Sequence, residues 1–265
     1  MIEMDMPELI KSRRSVRTFD CTPLTAEHRA RLKEFIGTIS APYDIPIEFV
    51  LLEKEKYGLS SPVISGESMY VAAKSKAVPH SEEAFGYAFE QLVLFEWSLG
   101  IGTTWIGGTM KREIFEKAVQ LQDGERMYCV SPLGYPAAKM SFKEKAMRTA
   151  IQADKRKASK ELFFENSFST PINDCDEKIS TALEAVRLAP SAVNKQPWRI
   201  IRCGNDFHFY EKHSKGYISE QGDIQKIDMG IALFHFMNIT GGKLGIAEPD
   251  ISAPTDIEYI ATVTV

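Results

Sequence analysis

Apolar residues recur along this chain at helical and at strand-like spacings, and the succession of the two gives the first guide to its fold. In segment 20–42, DCTPLTAEHRARLKEFIGTISAP, Leu32, Phe35, Ile36 and Ile39 share one helical face; in 168–190, FSTPINDCDEKISTALEAVRLAP, Ile179, Leu183 and Val186 do the same. The two segments align without a gap, each opening with Thr-Pro and closing with Ala-Pro. Each is expected to form a helix after its Thr-Pro turn and to stop at the closing proline, because the residue before proline avoids the α region. Strands are expected next, at 47–53 (IEFVLLE) and 198–203 (WRIIRC). Further on, 85–101 (FGYAFEQLVLFEWSLGI) and 230–246 (GIALFHFMNITGGKLGI) are almost unbroken apolar stretches ending in Leu-Gly-Ile. Such stretches mark helices buried on most sides, with Gly100 and Gly245 as natural stops. A last strand closes each half, at 127–132 (MYCVSP) and 258–265 (EYIATVTV).

Two copies of helix, strand, buried helix and strand imply a diverged internal repeat. The expected organisation is a first half over 1–140, a charged connector over 141–160 that includes a helix, and a shorter second half over 161–265. The expected class is α+β, with antiparallel-rich sheets flanked by helices.

Composition narrows the function. Apolar residues make up 44% and charged residues 26%, enough for a real core. With 32 Lys and Arg against 36 Asp and Glu, the net charge of −4 leaves no excess to grip a phosphodiester backbone, so no nucleic-acid partner is expected. The start, 1–17, carries scattered charge and no apolar run, so no secretory leader is expected there. Glu90, Gln91 and Glu96 interrupt the most apolar stretch, which argues against a membrane span. Cys21, Cys129, Cys175 and Cys203 lie far apart without C-x-x-C spacing, which fits a reducing cytoplasm better than a disulfide framework.

Four stretches can carry chemistry. KSRRSVR at 11–17 can present several donors to an anion, since arginine's planar fork suits a phosphate; alone it reads equally as the solvated basic start of a helix. APSAVNKQPW at 189–198 holds Ser191, Asn194 and Gln196 between two prolines and can read the edge of a polar heterocycle, or it is a plain turn into a strand. LGIGTTWIGG at 99–108 has four glycines that permit close backbone approach, or form only a glycine-rich turn. It is neither a G-x-G-x-x-G fingerprint nor a phosphate-binding G-K-S/T loop. SPLGYPAAK at 131–139 is a strand end or a simple loop. The histidines show no metal-ligand spacing: His208 and His213 are expected to flank an exposed turn as a solvated pair, and His235 to be a satisfied core residue. Ser131 and Ser191 lack a nucleophile elbow. With no nucleophile or metal in view, an enzyme of this sequence needs a cofactor to carry its chemistry.

Taken together, these motifs resemble the FMN-dependent nitroreductases. KSRRSVRTFD is similar to their R-R-S-x-R signature, APSAVNKQPWR to their A-P-S-x-x-N-x-Q-P-W signature, SLGIGTTWIGG to their glycine-rich turn after the central helix, and SPLGYPAAK to their I-P-x-G-Y-P strand end. The order departs from the family's. The arginines stand in the first half and A-P-S-x-x-N in the second, whereas APYDIP and FFENSFS occupy the complementary positions. The chain thus resembles a subgroup in which two protomers are fused into an intrachain pseudo-dimer with a nitroreductase-like fold, one active site kept and one erased.

The resemblance implies roles. Arg13, Arg14 and Ser15 would hold the FMN phosphate and ribityl chain, and Arg17 would lie near flavin N1 and O2, where positive charge raises the reduction potential. Trp105, Ile106, Gly107 and Gly108 would supply backbone contacts, including an N–H near N5. Pro190, Ser191 and Asn194 would reach the flavin from the other half, and Arg156 would match a basic residue near the phosphate. The flavin itself would carry the chemistry, with no catalytic side chain and no metal. NAD(P)H would donate two electrons and a nitroaromatic, quinone or similar small acceptor would receive them in a ping-pong cycle, with one FMN per chain and a monomer sufficient to bind it. An FMN-binding sensor or storage protein without turnover, or a relative performing reductive dehalogenation or flavin breakdown, would present the same motifs.

Overall fold

The computed structural model describes residues 5–265; positions 1–4 of the charged start lie outside them. Helix α1 (Met6–Ser12) comes first. Two compact units follow, one of Ser12–Ala153 and one of Asp154–Val265 together with the N-terminal segment up to Lys11.

The Ser12–Ala153 unit contains α2 (Ala26–Ile36), β1 (Glu48–Glu53), α3 (Lys54–Tyr57), β2 (Met69–Lys76), α4 (Ser81–Ser98), α5 (Arg112–Ala118), β3 (Glu125–Arg126), β4 (Val130–Leu133) and α6 (Phe142–Ala150). Thr25 starts α2 by accepting the His28 N–H at its hydroxyl, which satisfies one of the helix's free donors. Strand β2 is the centre of the sheet. It runs antiparallel to β1 on one side and to β3 and β4 on the other, and every residue but the last is buried. Leu52, Tyr70, Ala72, Phe115, Met127 and Val130 share a buried cluster on this sheet.

The second unit contains β5 (Phe163–Glu165), α7 (Glu177–Leu188), β6 (Trp198–Cys203), β7 (Asp206–Lys212), β8 (Ile218–Ser219), β9 (Gly222–Asp223), α8 (Ile224–Thr240), β10 (Lys243–Gly245) and β11 (Ile257–Thr264). Its five-stranded sheet has the order β10-β11-β7-β6-β5, antiparallel except between β5 and β6. Asp176 caps α7 as Thr25 caps α2.

The repeat is visible in the elements. A capped helix, a one-turn 3-10 helix with left-handed residues, two antiparallel strands, a buried helix and a further strand occur in that order in each unit. The left-handed residues are Tyr43 and Asp44 in the first unit and Val193 and Asn194 in the second. This is the α+β, antiparallel-rich architecture of two similar halves that the sequence leads one to expect.

Three details differ from expectation. Helix α2 stops at Gly37, well before Pro42, and Pro42 instead opens the one-turn helix Pro42–Asp44. Gly100, at φ +73°, does terminate α4, but the stop of α8 is Gly241, at φ +68°, and Gly245 lies in strand β10. The strand expected at 127–132 begins only at Val130. Among the described residues no helix is long and apolar enough to cross a membrane.

Candidate functional site

Three of the four motifs come together in the Ser12–Ala153 unit. Helix α1 ends at Ser12, so the arginines beyond it are extended chain and not the start of a helix. Ser15 bridges Thr103 in parallel, and the Val16 N–H donates to the Thr103 carbonyl at 2.8 Å. Phe19 bridges Pro136, and the Gly102 N–H donates to the Gly134 carbonyl at 2.8 Å. The arginine stretch, the glycine-rich turn and the S-P-L-G-Y-P strand end therefore form one ribbon. Its glycines have a packing reason. A Cβ on Gly102 would fall 2.9 Å from the Val16 Cβ, and one on Gly134 would fall 2.8 Å from the Phe19 ring.

Charge collects on this ribbon. Arg13, Arg14, Ser15 and Arg17 are partly buried, and the Nη1 atoms of Arg13 and Arg17 are buried with no hydrogen-bond partner among the described residues. Burial lowers the pKa of both guanidinium groups. Glu90 on α4 opposes that shift at Arg13 and Glu144 on α6 opposes it at Arg17, while Arg148 adds to it at both. Burial outweighs the carboxylates at each arginine. Among the described residues, Arg13, Arg17 and Arg148 act on one another against Glu90 and Glu144, an excess of positive charge.

Helix α6 delivers Glu144 and Arg148 one turn apart on one face. Ser141 caps the helix by accepting the Glu144 N–H at 3.1 Å, and the Thr18 hydroxyl donates to Glu144 Oε2 at 2.7 Å. Neither Arg148 nor the acids Glu90 and Glu144 were in the sequence-derived set. The spacing Ser141-x-x-Glu144, a capping-box pattern, is the signal that would have placed α6 here.

The glycine-rich turn divides its N–H groups. That of Ile106 donates to the Val130 carbonyl at 2.9 Å and is engaged. Those of Gly107 and Gly108 donate to none of the described residues. The Gly107 carbonyl accepts from Arg112 at 2.9 Å, which fixes the turn. The hydroxyls of Thr103 and Thr104 and the Trp105 Nε1 are also buried without a partner among the described residues. Trp105 packs against Phe89 with ring centroids 4.8 Å apart.

The fourth motif lies in the other unit. Both carboxylate oxygens of Asp228 accept the Ala192 N–H, at 3.0 and 3.1 Å. Ser191 Oγ accepts the Gln196 N–H at 2.9 Å. Asn194 donates to the Lys155 carbonyl at 2.9 Å and accepts from Arg156 at 3.4 Å and from Gln196 at 3.2 Å. Arg156 thus belongs with the Pro190–Asn194 loop, and the Asn194 amide already has partners of its own. Val193, Asn194 and Gln196 all have positive φ. For an exposed β-branched valine that is a strained conformation held by its surroundings. Asp228 is buried, and its pKa is pushed well up by burial first and by Glu211 and Asp223 next.

The histidines divide. His235 is a satisfied core residue as expected, its Nδ1 lying 2.8 Å from the Ala185 carbonyl. The expected exposed turn between His208 and His213 is instead strand β7, and His208 is buried against the Thr262 hydroxyl at 2.8 Å. The alternation of aromatic and polar residues in DFHFYEK explains the strand.

Two repeated α+β halves, one bearing an arginine stretch laid against a glycine-rich turn, define the nitroreductase-like fold. The chain belongs to the family whose model is described as "Putative TM nitroreductase", which matches residues 5–239. A solved structure described as a putative nitroreductase of Thermotoga maritima is similar over 100% of this chain and 95% of its own, with a TM-score of 0.62 and 21% identity. A nitroreductase family protein of Clostridium novyi aligns with 54% of this chain and 91% of its own, at TM-score 0.44 and 20% identity. An FMN-dependent nitroreductase of Clostridium difficile aligns with 52% and 92%, at TM-score 0.43 and 12% identity. Among curated proteins none matches.

Proposed function

We propose that this nitroreductase-family chain binds one FMN and passes two electrons from NAD(P)H to a small electron-poor acceptor, such as a nitroaromatic or a quinone. One observation carries the reading. Two guanidinium groups bury a nitrogen without a partner among the described residues, in a cluster where positive charge exceeds negative. A buried donor left unsatisfied costs free energy, more so when charged, and a phosphate dianion supplies both the acceptors and the missing charge. The residues therefore fit the phosphate end of the cofactor.

When bound, FMN supplies the two-electron chemistry that no side chain here offers. The chain's own residues bind and orient it. Arg13, Arg14 and Ser15 would hold the phosphate and ribityl chain, with Arg148 adding charge, and Arg17 would supply positive charge to the flavin. Gly107 and Gly108 would offer it their N–H groups, with Trp105 and Ile106 in the same turn, the Ile106 N–H being held by Val130. Pro190, Ser191 and Asn194 belong to the Asp154–Val265 unit, where Arg156 donates to Asn194. One chain suffices for one flavin, and four free cysteines suit a reducing cytoplasm.

The test compares FMN with riboflavin, which lacks only the phosphate. FMN should bind at least about tenfold more tightly, the scale of one charge-assisted hydrogen bond, and the FMN-loaded protein should oxidise NADH or NADPH when a quinone is present. Equal affinity for the two flavins would remove the arginine cluster from the site, and binding without NAD(P)H oxidation would leave a flavin carrier without turnover.

A further inference from the structure

A second cluster, within the Asp154–Val265 unit and independent of the flavin reading, has the geometry of a metal site. Strand β7 presents Glu211 and, just past its end, His213, while Asp223 sits at the start of α8. One ligand atom from each of the three lies within 4.8 Å of the others. Glu211 and Asp223 are both buried.

The arrangement is more specific than a group of acids. His213 Nδ1 lies 3.0 Å from Glu211 Oε1, and His213 Nε2 lies 3.1 Å from Glu258 Oε2. Two donor atoms at that first separation can be neighbouring ligands of an ion with bonds of about 2.1 Å. The second contact is what a metal-bound imidazole makes at its other nitrogen, which donates its N–H to a carboxylate that fixes the ring. Glu258 is itself held by Lys226, at 2.9 Å. Asp223 accepts the Gln225 N–H as the cap of α8, at 2.9 Å, which orients its carboxylate.

Charge points the same way. Glu211 and Glu258 are directly opposed on neighbouring antiparallel strands, a pairing that is destabilising for like charges unless a cation intervenes. Three carboxylates, those of Glu211, Asp223 and Glu258, gather around His213 with one lysine, Lys226, beside them. Asp228, one turn further along α8, experiences the excess, since Glu211 and Asp223 both act against its ionisation.

We propose that Glu211, His213 and Asp223 bind a divalent first-row metal ion, Mn2+ or Zn2+, through two carboxylates and one imidazole nitrogen, with Glu258 orienting the imidazole. Mixed nitrogen and oxygen ligands suit these ions. The ion ties the end of β7 to the start of α8, the helix whose Asp228 holds the Ser191–Asn194 loop.

The test is titration of the chelator-treated full chain with manganese and zinc chloride, followed by calorimetry and thermal denaturation. One ion per chain and a raised Tm are expected. Glu211→Gln and His213→Gln should abolish binding, and Asp223→Asn should abolish it while keeping the helix cap. Glu258→Gln should weaken binding by about ten- to a hundredfold, the effect of losing an outer carboxylate. No binding of either metal by the wild-type chain, or undiminished binding by His213→Gln, overturns the proposal. Should a variant fail to fold, pulsed electron paramagnetic resonance of wild-type chain with Mn2+ decides: coupling to a histidine nitrogen supports the site and its absence overturns it.

Discussion

Replacing Arg13 by alanine removes one of the two buried guanidinium groups and leaves the rest of the ribbon's backbone pairing untouched, since Ser15 and Val16 join Thr103 through bridge and main-chain contacts. The Arg13 Nη1 is the atom without a partner, so the loss to be expected is that of one charge-assisted hydrogen bond to phosphate. Such a bond contributes about 1.5–3 kcal/mol, or about ten- to a hundredfold in affinity. One neighbour pushes the figure toward the upper end. Glu90 loses a counter-charge, and its carboxylate then repels the phosphate that Arg13 had attracted. Arg13→Lys keeps the charge but not the planar fork, so its affinity should fall between wild type and alanine. Quenching of flavin fluorescence on titration gives Kd, and far-UV circular dichroism confirms the fold. Unchanged affinity in Arg13→Ala, or weakened binding that merely follows loss of the fold, would refute the reasoning and make Arg13 a partner of Glu90 alone.

The remaining expectations follow from single residues. Arg17→Ala and Arg17→Gln should each lower the midpoint potential of bound flavin, measured by spectroelectrochemistry; a wild-type potential in both removes Arg17 from the ring. Gly102→Ala drives a Cβ into Val16 at 2.9 Å and should cost about 1–3 kcal/mol of stability by overpacking, whereas Gly108→Ala, with nothing within 4 Å, should leave denaturant unfolding unchanged. Glu96 is buried with neither oxygen hydrogen-bonded among the described residues, and burial, then Glu90, hold its pKa well above the ordinary value. A folded pKa raised in this way favours the native state below the unfolded value of about 4.3, and that advantage is lost as pH rises toward the folded pKa. Glu96→Gln should therefore gain stability relative to wild type as pH increases, and a pH-independent difference between the two would contradict the assignment.

Much of this was legible in the chain, and the exceptions have physical reasons. The repeated capped helices could be read because Thr25 and Asp176 each precede an apolar stripe at helical spacing. Strand β2 escaped notice because it is central: MYVAAKSK is buried on both faces and shows no alternation. The end of α8 was misplaced because Gly241, Gly242 and Gly245 all offer a stop, and only the left-handed backbone at Gly241 takes it. At the site, the arginines and the glycine-rich turn were visible as motifs, since each needs special residue types close in sequence. Glu90, Glu144 and Arg148 were not, because they reach Arg13 and Arg17 from helices distant in the chain. The same holds for Glu211, His213 and Asp223, which no regular spacing announces.

The most direct test of the flavin assignment is a count of FMN against chains, from visible absorbance and protein concentration, with light scattering for mass. The arginines Arg13, Arg14 and Arg17 stand in the first half, and FFENSFS, the segment of the second half that aligns with them, carries Glu165 and no arginine. One FMN per chain, held by a monomer and reduced by NADH or NADPH, is the predicted result. Two flavins per chain, flavin held only by a dimer, or a colourless chain that takes up no FMN would contradict it.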